Sequence, residues 1–247
     1  MRKLLYTTHT DLSIEYFTDW DIDYYDNPCP NPQSADLVYF RDPFNDDSYT
    51  PNPEQINRLI KYHQGSKIVD HLTSFPDIVK AEDKYLQSQQ YGDLYPNTWL
   101  PSQQAFTPGK HLAKPRISQR AKDILFVIND RKLDDNWIIQ DLLDIKEELR
   151  VYVVNGQIIQ PASIKSPKSS GKVKVIGTRP ITTAEQTFVQ EALSYCPLDI
   201  VGFDIAVLGN GDYKVIEANR SPQFRRYTEQ TGINIAKLMN DIDLIDK

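Results

Sequence analysis

DIVGFDIAVLGNGDYKVIEANRSPQF, residues Asp199 to Phe224, reads as a single β-hairpin. From Ile200 to Leu208 the apolar Val201, Phe203, Ile205 and Val207 alternate with Gly202, Asp204 and Ala206, the period-two pattern of a half-buried strand. A second strand-like run extends from Asp212 to Asn219. Between them, Gly209-Asn210-Gly211 holds the Asn-Gly pair favoured where a tight turn needs positive φ, so the two runs are expected to pair antiparallel.

A register follows from the turn. With Asn210 and Gly211 at the tip, Gly209 faces Asp212, and counting back places Asp204 opposite Glu217. Directly opposed residues in such a ladder have Cβ atoms about 4.5–5.5 Å apart, and like charges there repel. Asn219 falls on the face of Glu217 and opposite Gly202, whose missing side chain is expected to leave space. Two carboxylates and an amide oxygen on one patch suit a hard divalent cation, which takes oxygen ligands. A solvated hairpin face with incidental acids is the plainer alternative, and the Asn beside the glycine weighs against it.

The 247-residue chain is long enough to bury a substantial core, as one large domain or as two to three small lobes. Apolar residues at 40% and charged residues at 25% describe a soluble globule, and a net charge of −6 gives no footprint for general nucleic-acid binding. Any polyanion is expected to be small and held locally. Cys29 and Cys196 stand far apart, outside any C-x-x-C or Cys/His cluster, so neither a zinc site nor a disulfide framework is suggested and a cytoplasmic location fits. The opening apolar run ends at Thr7 and Thr8, too short for a signal-peptide core, and no apolar run reaches the length of a membrane span. His9, His63, His71 and His111 are scattered, which gives none of them a catalytic signature.

Along the first third, strands are expected near Lys3–Thr7, Ser13–Phe17 and Asp36–Arg41, with a turn-rich break at Asn27 to Pro32. A helix follows Pro53 with Ile56, Leu59 and Ile60 on its buried side, then a strand at Lys67–Leu72, an alternation that suggests a small α/β layer. The next helix starts near Pro76, carries Asp83 and Lys84, a weak phosphate-grip signal whose plainer alternative is a solvated helix face, and ends near Gly92. From Asn97 to Gln160 the pattern is mainly β: Thr98–Leu100, His111–Arg116, Ile124–Ile128, Trp137–Leu143, and a hairpin of Glu148–Val154 with Gln157–Gln160 about Asn155-Gly156. Lys165–Lys172, KSPKSSGK, reads as a polar connector or a loop over a site. Thr182-Thr-Ala-Glu185 is a capping box that opens a helix with Phe188, Val189, Ala192, Leu193 and Cys196 on one face, and a last helix starts near Asn234.

Three further constellations carry chemistry. Lys114 precedes Pro115, which favours an extended backbone, and Arg116, Arg120 and Lys122 follow: a phosphate grip, or simply exposed cations. Trp137-Ile-Ile-Gln140-Asp141-Leu-Leu143 is an apolar strand with an acidic bend at its end. Glu148-Leu-Arg150 opens the next strand.

In that order, from about Asp83 to the end, these parts resemble the ATP-grasp superfamily, nearest its RimK-type glutamate ligase and glutathione synthetase branch. The residues concerned are DKYLQSQQYGDLYPNTW from Asp83, AKPR from Ala113, IIQDLLDIKEELRVYVVNG from Ile138, DIVGFDIAV from Asp199, and IEANRSPQF with TGINIA after it. The resemblance implies a mixed α/β ATP-grasp fold in which two β-rich lobes clamp ATP. It divides the chain into a short N-terminal α/β lobe (1–75), a central lid subdomain (76–136) and a C-terminal catalytic subdomain (137–247). Lys84 and Lys114 then look like the two lysines that grip ATP phosphates. Gln140, Asp141 and Leu143 look like the adenine-reading edge, with Asp141 where glutamate is more usual. Glu148 stands at the ribose position, and Arg150 looks like the arginine that reaches the transferred phosphate. Arg179 is a second candidate phosphate or acyl-phosphate contact, and Asp204, Glu217 and Asn219 match the metal ligands.

The implied activity is ATP-dependent joining of a carboxylate to an amine, with magnesium, or manganese in its place, and with a small-molecule or peptide acid as substrate. Neither nucleic acid nor membrane is implied as a partner, and a homo-oligomer is compatible with the pattern. The family's glycine-rich loop is replaced by Ile117-Ser-Gln-Arg-Ala-Lys-Asp123, without glycine, which keeps two alternatives open: a degenerate member that binds nucleotide or a partner without catalysis, and a kinase.

Overall fold

The computed structural model describes residues 1–26, 32–41, 43–44, 50–117, 124–126, 132–165 and 175–241. Three sheets organise them. The first is parallel, in the order β2 (Asp21–Tyr24), β1 (Lys3–Thr7), β3 (Leu37–Phe40), β4 (Lys67–Ile68). Its inner strands read as near-continuous apolar runs because both faces are covered. Helix α1 (Pro53–Tyr62) covers part of it with Ile56, Leu59 and Ile60, as their spacing predicts, and Asn52 caps its start by accepting from the Gln55 amide at 3.1 Å.

Two expectations for this lobe change. Ser13–Phe17 is not a strand but a 3-10 turn at Ile14–Tyr16. The Asp11 carboxylate accepts from the Ser13 amide at 3.0 Å, and this local turn chemistry overrides the alternation. The strand expected at Lys67–Leu72 stops at Ile68, because Asp70 and His71 both take positive φ, 64° and 51°.

The helix expected from Pro76 to Gly92 is two: α2 (Phe75–Glu82) and α3 (Lys84–Tyr91). Asp83 leaves the helical region (ψ 109°) to cap α3, accepting from the Tyr85 and Leu86 amides at 2.9 and 3.3 Å. Asp83 and Lys84 are consequently buried, each 4% exposed, rather than on a solvated face.

The second sheet is antiparallel, in the order β5 (Thr98–Trp99), β7 (Trp137–Asp141), β6 (His111–Pro115). The strand expected at Ile124–Ile128 reduces, among the described residues, to a bridge between Leu125 and Ala113; Val127 and Ile128 lie outside them. Strand β7 was expected to open the C-terminal subdomain, but its partners put it in this middle sheet.

The third sheet has five antiparallel strands in the order β10-β9-β8-β11-β12, formed by β8 (Ile145–Val154), β9 (Gln157–Lys165), β10 (Val175–Arg179), β11 (Ile200–Leu208) and β12 (Tyr213–Asn219). Helix α4 (Thr183–Ser194), opened by the Thr182/Glu185 capping box, packs Phe188, Val189 and Ala192 against Val151, Phe203 and Val215. Tyr91 at the end of α3 and Tyr95 after it belong to the same core, so this segment sits with the C-terminal sheet rather than with the lid. The chain closes with two helices where one was expected, α5 (Arg225–Thr231) and α6 (Ile235–Leu238). Among the described residues no helix is long and apolar enough to cross a membrane.

The parallel lobe is fixed to the large sheet by a shared apolar cluster that includes Leu5, Phe17, Tyr39, Tyr152, Ile200 and Phe224. Two buried arginines reinforce the seam. Arg41 pairs with Asp11 at 2.6 Å, donates to the Pro222 carbonyl at 2.7 Å and lies over the Phe17 and Phe224 rings. Arg220 pairs with Asp70 at 3.2 Å and donates to the Phe40 carbonyl. Asp70 and Asp199 bind each other's backbone: the Asp70 amide donates to Asp199 Oδ2 at 2.7 Å and the Asp199 amide to Asp70 Oδ1 at 2.9 Å. Burial pushes the Asp70 carboxyl up to about 6, although Arg220 works in the other direction.

An acid with a raised folded-state pKa stabilises most while protonated and loses that contribution as pH rises through the folded value. The advantage of wild type over Asp70→Asn in unfolding free energy should therefore shrink by about 3 kcal/mol as pH rises from the ordinary carboxylate range to about 6. Urea unfolding across that pH interval measures it.

Candidate functional site

The central hairpin places Asp204 opposite Glu217 and Gly202 opposite Asn219, as counted, but by a different route. At the tip Leu208, not Gly209, meets Asp212: its amide donates to the Asp212 carbonyl at 2.8 Å, and Gly211 takes φ 91° within a three-residue turn. Pairing is therefore one residue out near the tip, and a bulge between Asp204 and Ile205 restores it at the acids. The space expected beside Gly202 is filled. A Cβ there would lie 2.6 Å from the Pro222 Cβ, so the glycine lets the chain leaving β12 fold across the sheet.

The ladder sets Glu217, Asp204, Arg150 and Ser163 in one row across β12, β11, β8 and β9, all toward one face. Glu148 and Lys165 are paired on the same face two residues along. Arg150 grips Asp204 with two parallel bonds, Nε to Oδ1 at 2.7 Å and Nη2 to Oδ2 at 2.8 Å. The Lys165 ammonium bridges Asp204 Oδ2 at 2.6 Å and Glu148 Oε1 at 2.5 Å. Lys84, at the first turn of α3, reaches Glu217 Oε1 at 3.1 Å. Burial opposes the charge on Asp204, but Arg150 and then Lys165 outweigh it and hold the carboxyl well below the usual range. Glu217 is also lowered: burial and Asp204 work against ionisation, and Lys84 and Lys114 prevail. Burial opposes the Arg150 charge too, and Asp204 more than offsets it.

Both acids are thus ionised, with Asn219 beside them donating to the Gly202 carbonyl at 3.2 Å. Among the described residues no three His, Cys, Asp or Glu side chains form a group able to hold a metal by themselves. The set of two carboxylates and an amide fits a magnesium ion that brings phosphate oxygens with it rather than one caged by protein.

A cavity of about 1160 Å³ opens beside this row, between the three-stranded and five-stranded sheets. Lys114, Gln140, Asp141, Leu143 and Glu148 line it together, and Leu112, Phe126 and Ile216 add apolar wall. Gln140 is held by Thr98 Oγ1 at 3.0 Å. Asp141 accepts from Asn97 Nδ2 at 2.8 Å and stands 3.8 Å from His111 Nε2.

Arg179 is not brought to the acids. Its ladder partner Ala162 is in the core with Val151 and Phe203, so it occupies the opposite face of the sheet from Asp204. There it binds Glu147 at 2.5 Å and Glu185 at 2.6 Å, at the edge of the cavity. In the basic segment after Lys114, Arg116 is engaged by Asp83 at 2.5 Å, whereas Arg120, Lys122 and the rest of 118–123 lie outside the described residues.

Lys165 is the functional candidate that sequence reasoning missed. It reads as the start of a polar connector, 166–172 of which lie outside the described residues, but it ends β9 as a 9% exposed side chain. Pro161 hides the strand, since proline argues against a ladder position; it sits where the β8–β9 register shifts. The period-two pattern of Ala162 and Ile164 around Ser163 and Lys165 was the available signal.

Lys165→Met removes a cation from two buried carboxylates and should lower unfolding free energy by about 3 kcal/mol. Gly202→Ala should cost about 1–3 kcal/mol through the Pro222 clash. Urea denaturation of each variant checks both values.

No curated protein matches the chain. Among solved structures it superimposes on ATP-grasp ligase PsnB, complexed with a phosphomimetic variant of minimal precursor, Mg and ADP, with a TM-score of 0.66, 15% identity, and 96% of each chain covered. It is similar to D-cycloserine synthetase DcsG at 0.65 and 14%, covering 92% of this chain and 94% of that one. Macrocyclase MdnC from Microcystis aeruginosa MRC, bound with precursor peptide MdnA, gives 0.65 and 14%, with 98% and 100% covered. At these identities the likeness shows the fold: a mixed α/β ATP-grasp architecture. A family model described as the RimK-like ATP-grasp domain matches residues 109–242, just over half of the chain, from the approach to β6 through the central hairpin to the closing helices. On that match the chain belongs to the RimK-like ATP-grasp family.

Proposed function

We propose that the protein is an ATP- and magnesium-dependent ligase that joins a carboxylate to an amine through an acyl phosphate. One observation carries this reading: an ionised Asp204–Glu217 pair, ringed by Arg150, Lys165 and Lys84, beside a large, mostly apolar cavity between two sheets. ATP would lie in that cavity, with the three-stranded sheet as the lid, Gln140, Asp141 and Leu143 facing the base, and Glu148 facing the ribose. Lys84 and Lys114 neutralise its phosphates. Magnesium held by Asp204, Glu217 and Asn219 would draw charge from the β- and γ-phosphates.

A substrate carboxylate oxygen attacks the γ-phosphorus, the bond to the bridging oxygen breaks, and ADP leaves. The amine nitrogen then attacks the acyl carbon and expels inorganic phosphate, giving up a proton as the amide forms. Arg150, held beside the acids by Asp204, would meet the transferring phosphoryl group. The protein's part is positioning and charge neutralisation. Because the fold-related PsnB structure holds a variant of a minimal precursor and the MdnC structure a precursor peptide, a peptide is the substrate class to try first. The N-terminal lobe (1–75) contributes to its choice.

A binding-only reading draws on the saturation of the Asp204 oxygens by Arg150 and Lys165. Glu217→Gln separates the two: it should abolish turnover in a ligase and leave the function of a binding protein unchanged. A kinase would release ADP without inorganic phosphate. For the ligase, calorimetry should show ATP binding that requires magnesium, and ADP release should depend on both an acid and an amine. Arg150→Ala should slow that release by several orders of magnitude. Absence of any ATP binding in the presence of magnesium would sink the proposal.

A further inference from the structure

Strand β12 carries two of the proposed metal ligands, Glu217 and Asn219, yet it is the outer strand of the five-stranded sheet. An edge strand presents backbone groups on its open side that no further strand pairs, and such a strand frays or slips unless something covers it. At Ala218, the residue between the two ligands, a side chain does the covering. Gln87 Oε1 accepts from the Ala218 amide at 3.0 Å, and Gln87 Nε2 donates to the Ala218 carbonyl at 2.9 Å. The primary amide thus bonds both backbone groups of one residue, as a neighbouring strand would. The same Nε2 donates its second hydrogen to the Ala81 carbonyl near the end of α2, at 2.7 Å. Gln87 is 3% exposed, so these bonds are made out of contact with solvent.

The placement comes from the α3 repeat. Lys84 and Gln87 are three residues apart and so share a helix face. From that face Lys84 pairs with the Glu217 carboxylate while Gln87 holds the backbone one residue on. The bulge just before Glu217 makes such a hold necessary, because a bulge interrupts the ladder on the β11 side.

We propose that Gln87 is a positioning residue for the metal site: it fixes β12 at Ala218 so that Glu217 and Asn219 face the cation together. This rests on the ligase reading in requiring a nucleotide-bound divalent cation there. It assigns Gln87 no contact with substrate. Glutamine is needed rather than glutamate, because a carboxylate accepts from the Ala218 amide but cannot donate to the two carbonyls.

The test uses Gln87→Leu and Gln87→Glu in the full chain, with two readouts. Amide hydrogen exchange at Ala218 in the absence of ligand should quicken at least tenfold in Gln87→Leu and less in Gln87→Glu, which keeps one of the two bonds. Manganese binding with a non-hydrolysable ATP analogue, followed by electron paramagnetic resonance, should weaken about 10–100-fold in Gln87→Leu, the usual penalty for losing a residue that orients a ligand. Affinity for the analogue without metal should stay within twofold of wild type. Unchanged exchange at Ala218 overturns the hold, and faster exchange with unchanged manganese affinity reduces Gln87 to a structural role and overturns the proposal. If wild type itself binds no manganese with the analogue, the ligase reading fails and the proposal fails with it, a result distinguished by its appearance before any substitution. Should Gln87→Leu not fold, Gln87→Glu decides on the same two readouts.

Discussion

Two carboxylates facing each other across an antiparallel ladder repel, and most of what surrounds Asp204 and Glu217 answers that repulsion. Compensating charge comes from four separate elements: Lys84 from α3, Lys114 from β6, Arg150 from β8 and Lys165 from β9. Like charges held this close with so little water are tolerable only when cations are held equally firmly. The site is therefore a preassembled lattice of alternating charge.

How much of this was readable in the sequence depends on the range of the interaction. The opposition of Asp204 and Glu217 was readable because strand alternation is local and the Asn-Gly turn ties the two runs together. The tip itself was misjudged by one residue, since a bulge leaves no mark on composition. Helix α1 was readable from its cap and apolar stripe, whereas α5 was not, because only Tyr227 of its seven residues is buried. The break at Asp83 was hidden because the helical pattern continues through it, and what stops the helix is a carboxylate turned onto the Tyr85 and Leu86 amides and Arg116.

Other site features were out of reach for a different reason. Gln87, Arg220 and Arg41 act on residues more than a hundred positions away, Ala218, Asp70 and Pro222. Nothing near Gln87 or Arg220 in the chain distinguishes them from surface residues, and Arg41 is marked only as the end of an apolar strand. The two lysines differ in the same way: Lys114 follows an alternating run and precedes a proline, but Lys165 is followed by a polar stretch and preceded by Pro161, so local chemistry argued against the strand that carries it. The family resemblance supplied order where local signals were weak, and it did not show that Arg179 stands on the other face of the sheet from Asp204, at the edge of the cavity.

The seam between the parallel lobe and the large sheet bears on how such a protein can change. Arg41 binds a carboxylate of its own lobe and the Pro222 carbonyl across the seam, Arg220 reaches from the other side to Asp70 and the Phe40 carbonyl, and Asp70 and Asp199 are each other's backbone partners. An exchange of the first lobe for one from a relative would carry away Asp11, Arg41 and Asp70 together and leave Arg220 with only Glu82, 4.0 Å away, as a carboxylate partner among the described residues. Recombination at this boundary is thus penalised unless the stretch after Asn219 travels with it.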